Sequence, residues 1–177
     1  MKKYRMSKYK PWLRDEQDRY LINEWTSYSD IGNLYEGRIL TNDEYEYIEN
    51  KYIQGIKIIL KEKGINKLVI NNLEKNFTID EINSLLNCSN LNLEETEKIL
   101  FNTINNGREL SIINVDAILK LLLRECIWCR LMDSKNTFIV EIGYDFYMYI
   151  YCDNISKNTL NEINMLQVYI EEMECKM

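Results

Sequence analysis

Apolar residues recur at three- and four-residue steps through most of the chain, and then, past residue 126, at two-residue steps. Tyr45, Ile48, Tyr52, Ile56 and Ile59 line one helical face, with Asp43, Glu46, Asn50, Gln54, Lys57 and Lys61 on or near the other. Thr41-Asn42-Asp43-Glu44 opens this helix as a capping box, the Thr hydroxyl covering a free amide while Glu44 reaches back, and Gly64 ends it. Thr78-Ile79-Asp80-Glu81 repeats the box and predicts a short helix through Leu86. A third helix starts at residues 92–95, carries Leu100 and Ile104, and stops at Gly107. Asn114 is placed to cap a fourth from Val115 to Glu125, where Ile118, Leu119, Leu121, Leu122 and Leu123 make it apolar most of the way round, as central helices are. Tyr20, Ile22, Trp25 and Tyr28 predict a helix over 15–30, and residues 1–14 read as a basic, loosely ordered lead-in.

Three strands follow: Ile127 to Met132, Thr137 to Ile142 and Phe146 to Tyr151, with turns at Asp133-Ser134-Lys135-Asn136 and Gly143-Tyr144-Asp145. Alternation puts Phe146, Met148 and Ile150 on one face and Tyr147, Tyr149 and Tyr151 on the other. A helix at about 158–166 leads to a last strand, Gln167 to Met173, and Lys67 to Ile70 is a short earlier strand. Helices first and a meander afterwards predict an α+β fold, a helical N-terminal half packed on a small, mostly antiparallel C-terminal sheet. The whole of 1–177 reads as one domain: 1–14 lead-in, 15–125 mainly helical, 126–177 sheet with one helix.

Composition narrows the function. A net charge of -6 disfavours non-specific nucleic-acid binding and anionic membranes, and favours basic partners. With no histidine in the chain, Ser–His and Cys–His nucleophile pairs are excluded. No apolar run approaches the ~20 residues that span a bilayer, and no apolar stretch follows the basic N-terminus as in a signal peptide. A cytoplasmic protein with five reduced cysteines is expected, with no cofactor.

Cys126-Ile127-Trp128-Cys129 is the one motif with redox or zinc potential. It falls where a helix ends rather than begins, and zinc would need two further ligands, for which Cys152 and Cys175 are the near candidates. Structural thiols are the simpler expectation. The acidic cluster Asp43/Glu44/Glu46/Glu49 matches a helix N-terminus made favourable by its dipole, and Glu171/Glu172/Glu174 matches either a solvated strand edge or a docking surface for a basic partner. The row Tyr147, Tyr149, Tyr151 fits a protein interface, a base-stacking platform or a half-covered sheet face. No basic residues are interleaved with it, which disfavours stacking on bases. No glycine-rich phosphate loop and no GxSxG is present, and no catalytic role is expected.

The string Ile127-Trp128-Cys129-Arg130-Leu131, then Phe138 to Ile142, then Gly143-Tyr144-Asp145-Phe146-Tyr147-Met148-Tyr149-Ile150 resembles the C-terminal hairpin of small immunity proteins from bacterial toxin systems. Leu40-Thr41 to Tyr52-Ile53 is similar to the first long helix of such proteins. The resemblance covers about a third of the chain and implies a cytosolic antidote that binds a cognate toxin, often a nuclease, and blocks it. An alternative of another class is a phage-borne inhibitor or regulatory adaptor acting on a host protein. From the residues themselves, the expected contacts are Asp145, Tyr147, Tyr149 and Tyr151 with Glu171, Glu172 and Glu174.

Overall fold

The computed structural model describes residues 1–173; Glu174 and Cys175 lie outside the described residues. The fold is α+β. In chain order the elements are β1 (Lys2–Ser7), β2 (Leu34–Tyr35), β3 (Arg38–Ile39), α1 (Asn42–Lys63), β4 (Lys67–Glu74), α2 (Ile79–Cys88), α3 (Glu95–Thr103), β5 (Glu109–Ser111), α4 (Val115–Leu123), β6 (Trp128–Met132), β7 (Ile139–Ile142), β8 (Met148–Cys152), α5 (Lys157–Met165) and β9 (Tyr169–Met173). Among the described residues seven strands form one antiparallel sheet in the order β5-β4-β6-β7-β8-β1-β9, and β2 pairs with β3 alone.

The local signals act as their chemistry dictates. Thr41 accepts from the Glu44 amide, the Glu44 carboxylate accepts from the Thr41 amide, and Gly64 closes α1 at φ 65°. Thr78 and Glu81 repeat the reciprocal cap on α2. Asn114 makes no side-chain cap; it ends a 3-10 turn, Ile112–Asn114, that runs into α4. Tyr45, Tyr52, Ile53, Ile56, Ile59 and Leu60 of α1 are buried, each apolar side chain contributing about 1.5–3 kcal/mol. They join α4 and the inner face of the sheet, including Leu68, Ile70, Leu131, Val140, Met148 and Ile150, in one core. Glu49 also points inward and is fully buried, where Arg124 grips both its oxygens at 2.8 and 2.7 Å.

Two expectations are corrected. Residues 1–14 are not a loose lead-in: Lys2–Ser7 is β1, inserted between β8 and β9, with Tyr4 opposite Ile150 and Met6 opposite Met148. Its alternation seats Tyr4 and Met6 in the core and leaves Lys3 and Arg5 on the other face. Residues 15–30 form no α-helix; only Tyr28–Asp30 makes a single 3-10 turn, capped by Ser27. The Asp15 carboxylate accepts the amides of Gln17 and Arg19, Asp18 turns to φ 64°, and Arg14 bridges Tyr20, so the chain doubles back as a tight loop. The segment 15–125 accordingly contributes strands as well as helices, β4 and β5 widening the sheet.

Candidate functional site

Strand register sorts side chains between two faces. Leu110, Leu68, Ile70, Leu131, Val140, Ile150 and Tyr4 face the helices and are buried. Their neighbours Val69, Met132, Ile139, Tyr149, Tyr151 and Lys3 fall on the opposite face and are half-buried, while Arg130 there is exposed. Among the described residues the core helices α1 and α4 pack on the inner face, and the outer face is met at one end by the 3-10 turn Pro11–Leu13. The loop after β1 covers one end of it: Trp12 packs edge-on against Tyr169, and Arg14 donates to the Tyr147 hydroxyl at 3.1 Å.

The tyrosine row lies on this face as alternation requires, and each ring has a fixed neighbour. Lys3 sits 4.1 Å from the Tyr149 ring centroid. Tyr147 is flanked by the Arg5 and Arg14 guanidinium groups at 5.0 and 5.6 Å. The Tyr151 hydroxyl donates to Glu141 at 2.9 Å, and burial together with that carboxylate pushes its pKa up to about 12. The other oxygen of Glu141 accepts from Arg130 at 2.6 Å. Basic residues are therefore interleaved with the tyrosines after all, contributed by β1 and the loop after it rather than by the local sequence.

The turn between β7 and β8 accounts for the string Gly143 to Tyr151. A Cβ on Gly143 would stand 2.4 Å from the Tyr149 ring, so the ring closes over a bare backbone. Tyr144 is 92% exposed. Asp145 and Phe146 both take left-handed backbone angles, φ 56° and 58°, which cost about 1–2 kcal/mol apiece in residues with a Cβ. Two buried hydroxyls hold them there: Tyr9 donates to the Asp145 carbonyl and Tyr52 to the Phe146 carbonyl, each at 2.9 Å. The Phe146 ring is packed by Trp25, Tyr45 and Tyr52 with centroids 4.9 to 5.7 Å away. The turn is thus rigid from below and open above.

Beside this turn, at the end of the sheet, lies a groove of about 780 Å³. Its walls include Phe77, Trp128, Tyr144 and Tyr149, and its carboxylates are Glu74, Glu125, Glu141 and Asp145. Trp128 is anchored by its indole N–H, which donates to the Ile142 carbonyl at 2.9 Å.

The expected contact residues do not form one patch. Asp145 and the three tyrosines share the outer face and the adjoining turn. Glu171 faces the same side but is drawn inward, accepting from Arg5 at 3.2 and 3.3 Å and lying 3.6 Å from Arg14, with its side chain 21% exposed. Arg5 also grips Asp18. Glu172 points to the helix side of β9, where Lys2 meets it at 2.9 Å. The basic first strand thus answers the acidic last one within the molecule, and charge reversal at Glu171 would set a cation against Arg5 and Arg14. Glu174 lies outside the described residues. Sequence reasoning missed Glu74, Phe77, Glu125 and Tyr144 as wall residues. Alternation along Trp128-Cys129-Arg130 was the available signal for the β6 side, and none existed for the segment after β4.

Cys126 and Cys129 are both buried, and burial pushes each thiol up to about 12, which keeps them protonated at neutral pH. Among the described residues no three acidic or cysteine side chains are placed to hold one metal ion. None of the described helices is long and apolar enough to cross a membrane. Searches of family models, curated proteins and solved structures yield no match for this chain.

Proposed function

We propose that this chain is an immunity protein that binds a cognate bacterial toxin one-to-one in the cytoplasm and blocks it by occlusion. An open sheet face of tyrosines, methionine, arginine and lysine, ending in a rigid turn with an exposed Tyr144, carries this proposal. Those residue types are enriched in protein interfaces, and a turn held by buried hydroxyls reaches its partner without first losing conformational freedom. The similarity of the Gly143 to Ile150 string to immunity-protein hairpins supports the same role, because that string builds the turn. The net charge of -6 favours a basic toxin domain, such as a nuclease, and speeds the encounter. The partner is a protein rather than a nucleic acid, and the chain itself supplies no catalysis. The test is co-expression with the toxin encoded beside it: growth is restored and a stoichiometric complex is isolated. A purified neighbour toxin that neither binds nor is inhibited would sink the proposal.

A further inference from the structure

We infer that the groove between Phe77, Trp128 and Tyr144 seats a cationic segment of a protein partner, with arginine or lysine heads among Glu74, Glu125 and Asp145 and their aliphatic stems along the aromatic walls. The inference rests on the chain being a binding protein, but not on the partner being a toxin.

Charge is the first reason. Four carboxylates line the groove against one guanidinium, Arg130, which is already paired with Glu141 at 2.6 Å. Among the described residues Glu74, Glu125 and Asp145 have no ion pair and no side-chain hydrogen bond, and all three are exposed. Elsewhere on the sheet the carboxylates are matched: Glu171 by Arg5, Glu172 by Lys2, Glu109 by Lys67. Three carboxylates without an ion pair thus line one groove, and its one lining guanidinium, Arg130, is already held by Glu141.

Shape is the second. At about 780 Å³ the groove holds several side chains. Indole and phenol faces bind the methylene stems of lysine and arginine and attract their heads. Part of the wall is already ordered, since Trp128 is anchored to Ile142 and the Asp145–Phe146 turn to Tyr9 and Tyr52. A second depression, of about 440 Å³, shares Phe77 and adds Leu85, Asp80 and Glu81, so the acidic and apolar character continues along α2. Because no three carboxylates converge among the described residues, the arrangement suits an extended organic cation better than a metal ion. The same carboxylates repel a phosphate backbone.

The test uses the full chain and two blocked hexapeptides, one alternating leucine with arginine and the other leucine with glutamate. Binding is followed by the Trp128 indole N–H and the Tyr144 and Asp145 amides in nitrogen-15 correlation spectra, with Trp128→Phe to assign the indole. The arginine peptide is expected to shift these signals saturably, and the glutamate peptide to leave them in place. The triple variant Glu74→Gln/Glu125→Gln/Asp145→Asn, which keeps shape and removes charge at exposed positions, is expected to weaken binding by about tenfold or more. Equal binding by the glutamate peptide, unchanged affinity in the triple variant, or the absence of saturable shifts at these signals would overturn the inference. Concentration-dependent broadening of these signals without peptide would overturn it too, by assigning the groove to a second copy of the chain. Growth rescue without peptide binding refutes the groove alone, whereas peptide binding without growth rescue refutes the toxin alone.

Discussion

Gly143 shows how a single residue sets the geometry of the exposed turn. A methyl group there would meet the Tyr149 ring at 2.4 Å, and Gly143→Ala is expected to cost about 1–3 kcal/mol in urea denaturation. Adding Tyr149→Ala removes the obstacle, so the double variant should lose less than the two single losses combined. Tyr52 is the second fixed point. Its hydroxyl accepts from the Lys8 amide at 2.7 Å and donates to the Phe146 carbonyl, joining the end of β1 to the turn in the core. Tyr52→Phe leaves an amide and a carbonyl unsatisfied, at about 1–3 kcal/mol each when such groups stay dry.

At the scale of elements, two polar devices hold the packed units together. Burial works against the charge on Asp133, but hydrogen bonds from Phe138, Thr137 and Lys135 outweigh it and hold the carboxyl below its ordinary value. The folded state thus holds the proton less tightly than the unfolded chain. The stabilisation is complete above the unfolded value of about 3.9 and is lost as pH falls through the lowered folded value. Asp133→Asn is expected to lower stability at neutral pH and to flatten this acid limb, read as the denaturation midpoint against pH. The second device is the Glu49–Arg124 pair joining α1 to the end of α4. Arg124→Met leaves a buried carboxylate without its partner, with an expected loss of about 3–5 kcal/mol. The double variant Glu49→Leu/Arg124→Met should recover most of it, which calorimetry can read.

For the whole molecule, one edge of the sheet depends on β1 pairing with both β8 and β9. Met6 of β1 is fully buried beneath α1, where a Cβ on Gly55 would come within 2.9 Å of its sulfur. Met6→Ala is expected to cost about 2–5 kcal/mol, and deletion of residues 1–7 to abolish cooperative unfolding, because β8 and β9 would lose the strand between them. On the binding side, Tyr144→Ala should weaken the proposed toxin complex by about 2 kcal/mol or more, as interface aromatics do, while leaving the thermal midpoint of the free chain in place, since the ring is in solvent. Titration calorimetry against the toxin checks the first expectation and a melt checks the second.

Several elements were legible from residues alone. The caps at Thr41 and Thr78, the stop at Gly64, the largely apolar α4 and the alternation from Met148 to Tyr151 each draw on chemistry within a few positions along the chain, where spacing and geometry are the same thing; the strand expected from Phe146 begins two residues later because Phe146 is held in the turn. The tyrosine row and its sharing of one face were therefore readable as well. What tertiary structure decided is everything that depends on pairing across the chain. β1 looked like a basic tail because its partners lie more than 140 positions away, and only between β8 and β9 do Tyr4 and Met6 find a core. The acidic run Glu171-Glu172 looked like one surface, yet strand alternation split it between two faces and β1 supplied its counter-charges. Among the described residues Asp145 alone of the expected acidic contacts stayed unmatched, and the groove that gives it company is assembled from the ends of β4, α4, β6 and β7. Local spacing specifies which face a side chain takes, whereas the neighbours waiting on that face are set by non-local strand pairing.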